Sequence, residues 1–271
     1  MDMPFIDILA RVIIGLVIGF NIGLTGIGGG VLALPALTLL LQEDPTAAVG
    51  TAAAYSFLTK IFAAWRHTKL KNVDKRSTSL VLAGAIPGTI VVAILMNKLM
   101  ETKDLGPFIN EMLAVAIIFA AVLMLVNFIR RGRGNADDLT RLAKFVTANK
   151  ERETISMLLV GAFTGAIVAS TSMNGVMIVV MMVMVLGMDS RKTVGSSIMV
   201  AVVLTFITAC IYSAGSHVNW VTASYMAVGS IAGVWMGSNL TVKVPERRLR
   251  AVVIAVVFAA GIAMLVKTLQ L

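Results

Sequence analysis

The sequence predicts an all-α polytopic membrane protein, and three observations carry that prediction. Of its 271 residues, 58% are hydrophobic and only 14% are charged, whereas a soluble domain carries roughly 25% charged residues. Several apolar runs approach the roughly 20 residues with which a helix crosses a bilayer. Glycine-rich breaks interrupt these runs at matching places. We therefore expect two repeats of inverted topology, each with a broken-helix hairpin followed by transmembrane helices, and about 8–10 membrane-embedded helices in all.

The first break lies in the stretch NIGLTGIGGGVLALP, residues 21–35, where four glycines fall within five residues: Gly26, Gly28, Gly29 and Gly30. Inside a bilayer such a break is costly, because the freed backbone N–H and C=O groups have no water to bond. It is tolerated where the unwound backbone is buried in protein or lines a cavity. The break is therefore the first candidate for a functional centre.

A second copy of this pattern lies 145 residues further along the chain, where the sequence reads GAFTGAIVASTSMNGVMIVV. The same offset holds over more than 70 residues, and the aligned pairs include Thr25 and Ser170, Gly30 and Gly175, and Gly84 and Gly229. This constant register predicts two membrane repeats, 1–129 and 155–271, joined by a linker at 130–154.

Each hairpin is predicted to enter and leave the membrane on one face. The first hairpin holds 36 residues (6–41), with legs at 5–24 and 31–41, and the second holds 33 (155–187), which gives an average of roughly 27 and 25 Å per leg. Both values fall short of two full crossings of a hydrocarbon core of roughly 30 Å. We therefore expect the two breaks to lie deep in the membrane, near its midplane.

The basic residues predict the orientation. Four loops, 66–76, 130–152, 188–193 and 243–250, hold 18 of the 23 Lys and Arg residues, and basic loops stay cytoplasmic. All four loops, and with them the linker 130–154, can be cytoplasmic if each hairpin returns to its own face. Both termini are then extracytoplasmic, and the second repeat is inverted relative to the first.

The helix that follows each break offers a site for a small oxyanion. Its start leaves several N–H groups unpaired and carries roughly half a positive charge, and glycines let the backbone approach a ligand closely. Hydroxyl and amide side chains flank both breaks. The candidate substrate-binding residues are Asn21, Thr25, Gly26, Gly28, Gly29, Gly30, Thr51, Ser170, Thr171, Ser172, Asn174, Gly175 and Ser196. A hinge or a packing point is the alternative interpretation of each break.

Lys60 is a basic residue that lies well inside a predicted span, away from an obvious end of that span. Snorkelling to the cytoplasmic face is its first interpretation, and a counter-charge for a passing anion is the second. The pairs Gly84/Gly88 and Gly229/Gly233 have the GxxxG spacing of close helix packing. No span carries Asp or Glu near its centre, and the sequence has no nucleotide-binding loop. The sequence therefore argues against an ATP-driven pump in this chain, and the transport classes that remain are a secondary transporter and a passive permease.

Several of these stretches resemble a known family. GLTGIGGGVLALPALTLLL, then AVGTAAAYSFL, then a basic loop ending in NVD are similar to the TauE/SafE sulfite exporter family. The matching residues are Gly26, Gly28, Gly29, Gly30, Pro35, Gly50, Thr51, Val73 and Asp74. The second repeat departs from the pattern, with Val180 in the place of Pro35. The resemblance implies transport of a small sulfur-containing anion, such as sulfite, sulfoacetate or another organosulfonate, across the bacterial inner membrane.

We therefore expect a secondary transporter, acting as an exporter by alternating access, with the oxyanion held at the paired helix starts. A channel-like anion permease, or an uptake permease for another small anion, is the alternative. Two loop histidines and the lone Cys210 do not suggest an enzyme, a metal site or a cofactor. The expected partners are the oxyanion and the lipid bilayer, with a homodimer left open and no nucleic acid. Sulfite takes up a proton near neutral pH, so the coupled proton could be carried across the membrane by the substrate itself.

Overall fold

The computed structural model describes residues 4–25, 30–69, 71–102, 106–132, 146–173, 175–186, 188 and 190–240, and then 251, 254–255, 257–259, 261–263 and 265–266. These residues form helices and contain no strand, which confirms the all-α prediction. The predicted boundaries of the two repeats and of the linker 130–154 stay predictions, since residues 133–145 lie outside the described part of the chain.

Nine α-helices lie in the described ranges. The first half contains α1 (Phe5–Thr25), α2 (Gly30–Pro35), α3 (Pro45–Lys69), α4 (Lys75–Thr102) and α5 (Gly106–Gly132), with a π-helical segment, Ala36–Leu40, directly after α2. The second half contains α6 (Lys150–Thr171), α7 (Gly175–Met184), α8 (Ser190–Ala214) and α9 (Trp220–Leu240). The described residues between 251 and 266 are helical as well.

Five of the helices in the described part of the chain are long and apolar enough to cross a membrane. Their apolar stretches are Phe5–Ile22, Pro45–Trp65, Lys75–Met100, Lys150–Thr171 and Lys192–Ala214. Shorter apolar segments cover Gly30–Leu40 and Glu111–Leu123. A helix needs about 20 predominantly apolar residues to span the hydrocarbon core, so these lengths confirm the polytopic class.

The two legs of each hairpin are unequal in length, and those of the first hairpin agree with the legs 5–24 and 31–41 predicted from the sequence. Helix α1 has 21 residues, whereas the second leg has 6 in α2 and 5 in the π-helical segment. Helices α6 and α7 have 22 and 10 residues. At 1.5 Å per residue the first legs are about 31 and 33 Å long and the second legs only about 16 Å. Each first leg is therefore long enough to cross the bilayer by itself.

Glycines bring two pairs of helices into close contact. Helix α1 packs along α9 and α4 along α6, and each of these pairs takes one helix from each half of the chain. A Cβ atom at Gly84 would overlap the backbone carbonyl of Leu158, and one at Gly229 would overlap the carbonyl of Val12. These contacts confirm the helix-packing prediction for the GxxxG pairs.

The two glycine interfaces use corresponding residues. In α1 and α9, Gly15 and Gly19 meet Met226 and Ser230, while Gly229 and Gly233 meet Val12 and Leu16. In α6 and α4, Gly161 and Gly165 meet Val81 and Ala85, while Gly84 and Gly88 meet Leu158 and Ala162. An offset of 145 residues relates α4 to α9, and an offset of 146 relates α1 to α6. The same contact pattern therefore occurs twice, each time between opposite halves.

Candidate functional site

The first break is described only at its edges. Helix α1 ends at Thr25, whose side chain lies outside the described part of the chain together with Gly26, Gly28 and Gly29. Asn21 lies in the last turns of α1, and its Nδ2 donates a hydrogen bond to the carbonyl oxygen of Val17 at 2.8 Å. Gly30 is buried and is the first residue of α2. The break thus falls where the sequence predicted it, and a buried helix start follows it.

The second break is described except for Asn174. Helix α6 ends at Thr171, and Ser172 adopts the left-handed conformation with φ = 54°. A left-handed residue commonly ends a helix, because the amide beyond it can then bond to a carbonyl of the last turn. The Ser172 N–H donates to the carbonyl of Val168 at 2.8 Å. Gly175 is buried and begins α7.

Two hydrogen bonds locate the second break along the helix bundle. The Ser172 hydroxyl donates to the carbonyl of Val49 at 2.6 Å, and the Tyr212 hydroxyl donates to the carbonyl of Ala169 at 2.6 Å. Val49 lies one turn after the start of α3, and Tyr212 lies in the last turn of α8. The second break is therefore near the loops 41–44 and 215–219, which together we call the Glu43 face.

Helix α6 has 22 residues and is long enough to cross a bilayer, and its end lies near the Glu43 face. The depth of this break in the membrane stays a prediction.

The hydroxyl groups around the second break bond to the backbone. Ser170 Oγ donates to the carbonyl of Ala166 at 2.9 Å, and Thr171 Oγ1 donates to the carbonyl of Ile167 at 2.6 Å. Ser172 donates to α3, as described above. With these protons engaged, the donors that the described residues offer a ligand here include the backbone N–H groups of the first turn of α7, which have no partners within the helix.

Thr51 and Ser196 join the two halves of the chain. Thr51 Oγ1 accepts a hydrogen bond from the backbone N–H of Asn219 at 2.9 Å, and Ser196 Oγ accepts one from the N–H of Asp74 at 3.0 Å. Both hydroxyls are fully buried. The offset of 145 residues relates Thr51 to Ser196 and also Asp74 to Asn219. Thr51 lies half a turn beyond Val49 on α3, so it is close to the second break. Ser196 lies beside loop 71–74.

Lys60 is buried inside the helix bundle. Only 6% of its surface is exposed, so the snorkelling interpretation is wrong: the neighbouring helices cover the side chain and leave it no path along the lipid-facing surface. One turn earlier on α3, Ser56 is 1% exposed, and its Oγ has no hydrogen-bond partner among the described residues. Residues four apart share a helix face. The sequence analysis missed Ser56, although its spacing from Lys60 was a usable signal.

Comparison with known proteins identifies the family of this chain. The sequence profile of the sulfite exporter TauE/SafE family matches residues 11–264. The chain belongs to the TauE/SafE family. The match covers both breaks, both glycine interfaces and Lys60, so the resemblance seen in the first break extends through the second half.

Relatives of this TauE/SafE chain are named as transporters. It is 27% identical to the Bacillus subtilis "Probable membrane transporter protein YjnA" over 94% of this chain and 98% of the relative. It is 24% identical to the B. subtilis "Probable membrane transporter protein YunE" over 84% and 85%. A Methanocaldococcus jannaschii protein of the same description is 21% identical over 94% of each chain. No solved structure matches significantly. The TauE/SafE chain is thus a multi-pass membrane transporter.

The strained residue of the second break offers a stability test. We expect Ser172→Ala to destabilise this TauE/SafE chain by about 1 kcal/mol, because it removes the bond to Val49 and keeps a Cβ at positive φ. Ser172→Gly loses the same bond but relieves the backbone strain, so its stability should stay close to wild type. Chemical denaturation in detergent measures both, with Ser170→Ala as the control. Equal losses for the two Ser172 variants would contradict the strain.

Proposed function

We propose that this transporter is a secondary carrier, acting as an exporter, for a small sulfur-containing anion such as sulfite or an organosulfonate at the inner membrane. One observation carries the proposal: the Lys60 ammonium and the Ser56 hydroxyl are buried one turn apart inside α3. Ionisable residues inside a transmembrane bundle mark substrate and ion pathways. A positive charge beside the Ser56 hydroxyl, which has no hydrogen-bond partner among the described residues, suits a compact oxyanion, which accepts hydrogen bonds at every oxygen.

The two helix starts supply further donors in this proposal. Gly30 and Gly175 are both buried and each begins a helix after a break. The unpaired N–H groups and the positive dipole end of such a start bind anions without a charged side chain. The anion held by Lys60 would pass these starts on its way through the membrane. The family name supports a sulfur oxyanion as the cargo.

Alternating access is the proposed mechanism, with the two halves of the chain as inverted repeats. The paired glycine interfaces and the crossed bonds Thr51–Asn219 and Ser196–Asp74 support two equivalent units that exchange helices and loops. Each crossed bond ties a helix start of one half to a loop of the other. We propose that the two bonds are broken in turn as the pathway opens to one side and then to the other. The orientation with cytoplasmic basic loops and extracytoplasmic termini is part of this proposal.

Substitution of Gly175 tests the role of the helix start. Proline is tolerated at the first helical position but has no N–H, so Gly175→Pro removes one donor, while Gly175→Ala keeps it. We expect sulfite to bind Gly175→Pro roughly 10-fold more weakly than Gly175→Ala, as for the loss of one hydrogen bond to a charged group. Thermal stabilisation of the purified protein by sulfite, sulfoacetate, taurine, sulfate and phosphate measures the binding.

The outcome also separates the carrier from its alternatives. Stabilisation by no sulfur oxyanion, or equal affinities in the two Gly175 variants, would contradict the proposed substrate site. In proteoliposomes a carrier exchanges labelled for unlabelled sulfite with saturation. A sulfite-dependent current without saturable exchange would instead favour the channel-like permease.

A further inference from the structure

Glu43 is a partly buried carboxyl group at the junction of the two halves. It lies in the loop between the π-helical segment and α3, and its N–H donates to the carbonyl of Leu37 at 2.9 Å. Its Oε1 accepts a hydrogen bond from Asn219 Nδ2 at 3.1 Å. Its Oε2 is buried and has no hydrogen-bond partner among the described residues. Asn219 is also the residue whose N–H binds Thr51, so Glu43 takes part in the crossed contact on the Glu43 face.

The surroundings of Glu43 favour a proton on it. Burial raises the pKa of the Glu43 carboxyl above its ordinary value, and the nearby hydroxyls of Thr222 and Thr51, the charge of Arg11 and the amide of Asn219 lower it by less. A buried carboxylate oxygen without a donor is costly, whereas the protonated acid is neutral and can itself donate.

The charged and titratable groups around Glu43 come from three places. Helix α1 contributes Arg11, whose Nε donates to Thr222 Oγ1 at 2.9 Å. The 215–219 loop contributes His217, whose Nε2 is buried without a partner among the described residues. Asp44 is adjacent in sequence and bonds to the N–H of Thr46. In α9 no residue is charged, and Lys60, the first charged residue of α3, is four turns away.

This cluster breaks the correspondence between the two ends of the protein. The offsets that relate the glycine interfaces place Met188 opposite Glu43 and Met157 opposite Arg11. The crossed bond itself has a counterpart in Ser196–Asp74. Asp74 stands in the place of Asn219 at that counterpart, and its carboxyl group accepts hydrogen bonds from Ser77 and from the N–H of Arg76. A carboxyl group at the position of Glu43 therefore occurs at one of the two contacts. A chemical step that belongs to one side of the membrane would produce this asymmetry.

We propose that Glu43 binds the proton that couples transport, at the crossed contact between α3 and the 215–219 loop; this rests on the proposed carrier function. The proton is taken from water on the Glu43 face and adds to a carboxylate oxygen. No bond other than O–H forms or breaks, and the proton later returns to water. Protonation removes a costly, partly buried negative charge and so stabilises the crossed contact. When the proton leaves, the charge returns and favours exposure to water. The contact then loosens, and the 215–219 loop can move away from α3.

Coupled transport tests the proposal with Glu43→Gln, and Glu111→Gln serves as the matched control at an exposed carboxyl. Proteoliposomes receive radiolabelled sulfite or sulfoacetate. Sulfoacetate takes up no proton near neutral pH, so a proton coupled to its transport must be carried by the protein. We expect the ratio of pH-gradient-driven accumulation to equilibrium exchange to fall at least tenfold in Glu43→Gln and to stay at the wild-type value in Glu111→Gln. A wild-type ratio for sulfoacetate in Glu43→Gln would overturn the proposal.

Infrared spectroscopy supplies a readout that needs no substrate. We expect a carbonyl band of a protonated carboxyl that titrates above the usual glutamate range in wild type and in Glu111→Gln, and that is missing in Glu43→Gln. The same band in all three proteins would overturn the assignment to Glu43. If wild type exchanges neither probe, the proposed substrate class fails, and the infrared band then decides by itself whether Glu43 holds the proton.

The pH dependence of stability follows from the same group. Because the pKa of Glu43 is raised in the folded state, the folded chain binds more protons than the unfolded chain between the two pKa values. The stability given by protonation is thus present at low pH and is lost as the pH rises through the folded-state pKa. We expect Glu43→Gln to melt at a higher temperature than wild type at neutral pH and at the same temperature below the ordinary glutamate pKa. A lower melting temperature at neutral pH would count against the raised pKa.

Discussion

Gly84→Val should destabilise the protein by at least about 2 kcal/mol, the cost of overpacking a close helix contact. The added Cβ would overlap the backbone carbonyl of Leu158. Since that carbonyl belongs to the backbone of α6, no side-chain rotation can make room, and α4 and α6 must separate along their length. The dispersion contacts of both helices are then weakened together. Thermal melting in detergent and the fraction of monodisperse protein measure the effect.

Two further variants decide whether the effect comes from the interface. Ala83→Val places the same valine side chain at the neighbouring exposed position of α4, and its melting temperature should stay near that of wild type. Gly229→Val places a Cβ against the carbonyl of Val12 in the corresponding contact of α1 and α9, and the loss should match that of Gly84→Val. A large loss at Gly229 with none at Gly84 would show that the two interfaces are not energetically equivalent.

The sequence predicted those features that depend on local pattern and composition. Apolar length predicted the spanning helices, because a helix satisfies its own backbone in the membrane. The spacing of Gly84 and Gly88 predicted close packing, because only small residues admit a neighbouring backbone. The register between the halves predicted that Thr51 and Ser196 occupy equivalent places. None of these inferences requires knowledge of which helix lies beside which.

The features that the sequence analysis missed depend on long-range packing. Glu43 lies in a polar stretch of the sequence, and its burial arises from Asn219 and Arg11, which reach it only through the association of α1, α3 and α9. The hydroxyl of Ser172 looked like a ligand, whereas it binds Val49, a residue 123 positions away. Lys60 is covered by helices from elsewhere in the chain. In each case the partner that decides the role of the side chain is remote in sequence.

Lys60→Met should weaken sulfite binding by roughly 10- to 100-fold, because a hydrogen bond to a charged group contributes about 1.5–3 kcal/mol. Methionine keeps most of the length and volume of lysine but carries no charge. The side chain is 6% exposed, so solvent cannot replace the lost interaction with the anion. Sulfite-dependent thermal stabilisation measures the affinity, and the saturation of sulfite exchange in proteoliposomes measures its consequence for transport.

Stability distinguishes a role in binding from a role in the fold. Replacing a buried charge by an apolar group of similar volume is often neutral or stabilising, so without sulfite Lys60→Met should melt at the wild-type temperature or above. Lys60→Arg keeps the charge and should bind sulfite better than Lys60→Met, and Lys98→Met removes a lysine at an exposed position of α4 and should change neither property. If Lys60→Met melts at a lower temperature yet binds sulfite as tightly as wild type, Lys60 supports the helix bundle. The groups that bind the anion must then be sought at the starts of α2 and α7 alone.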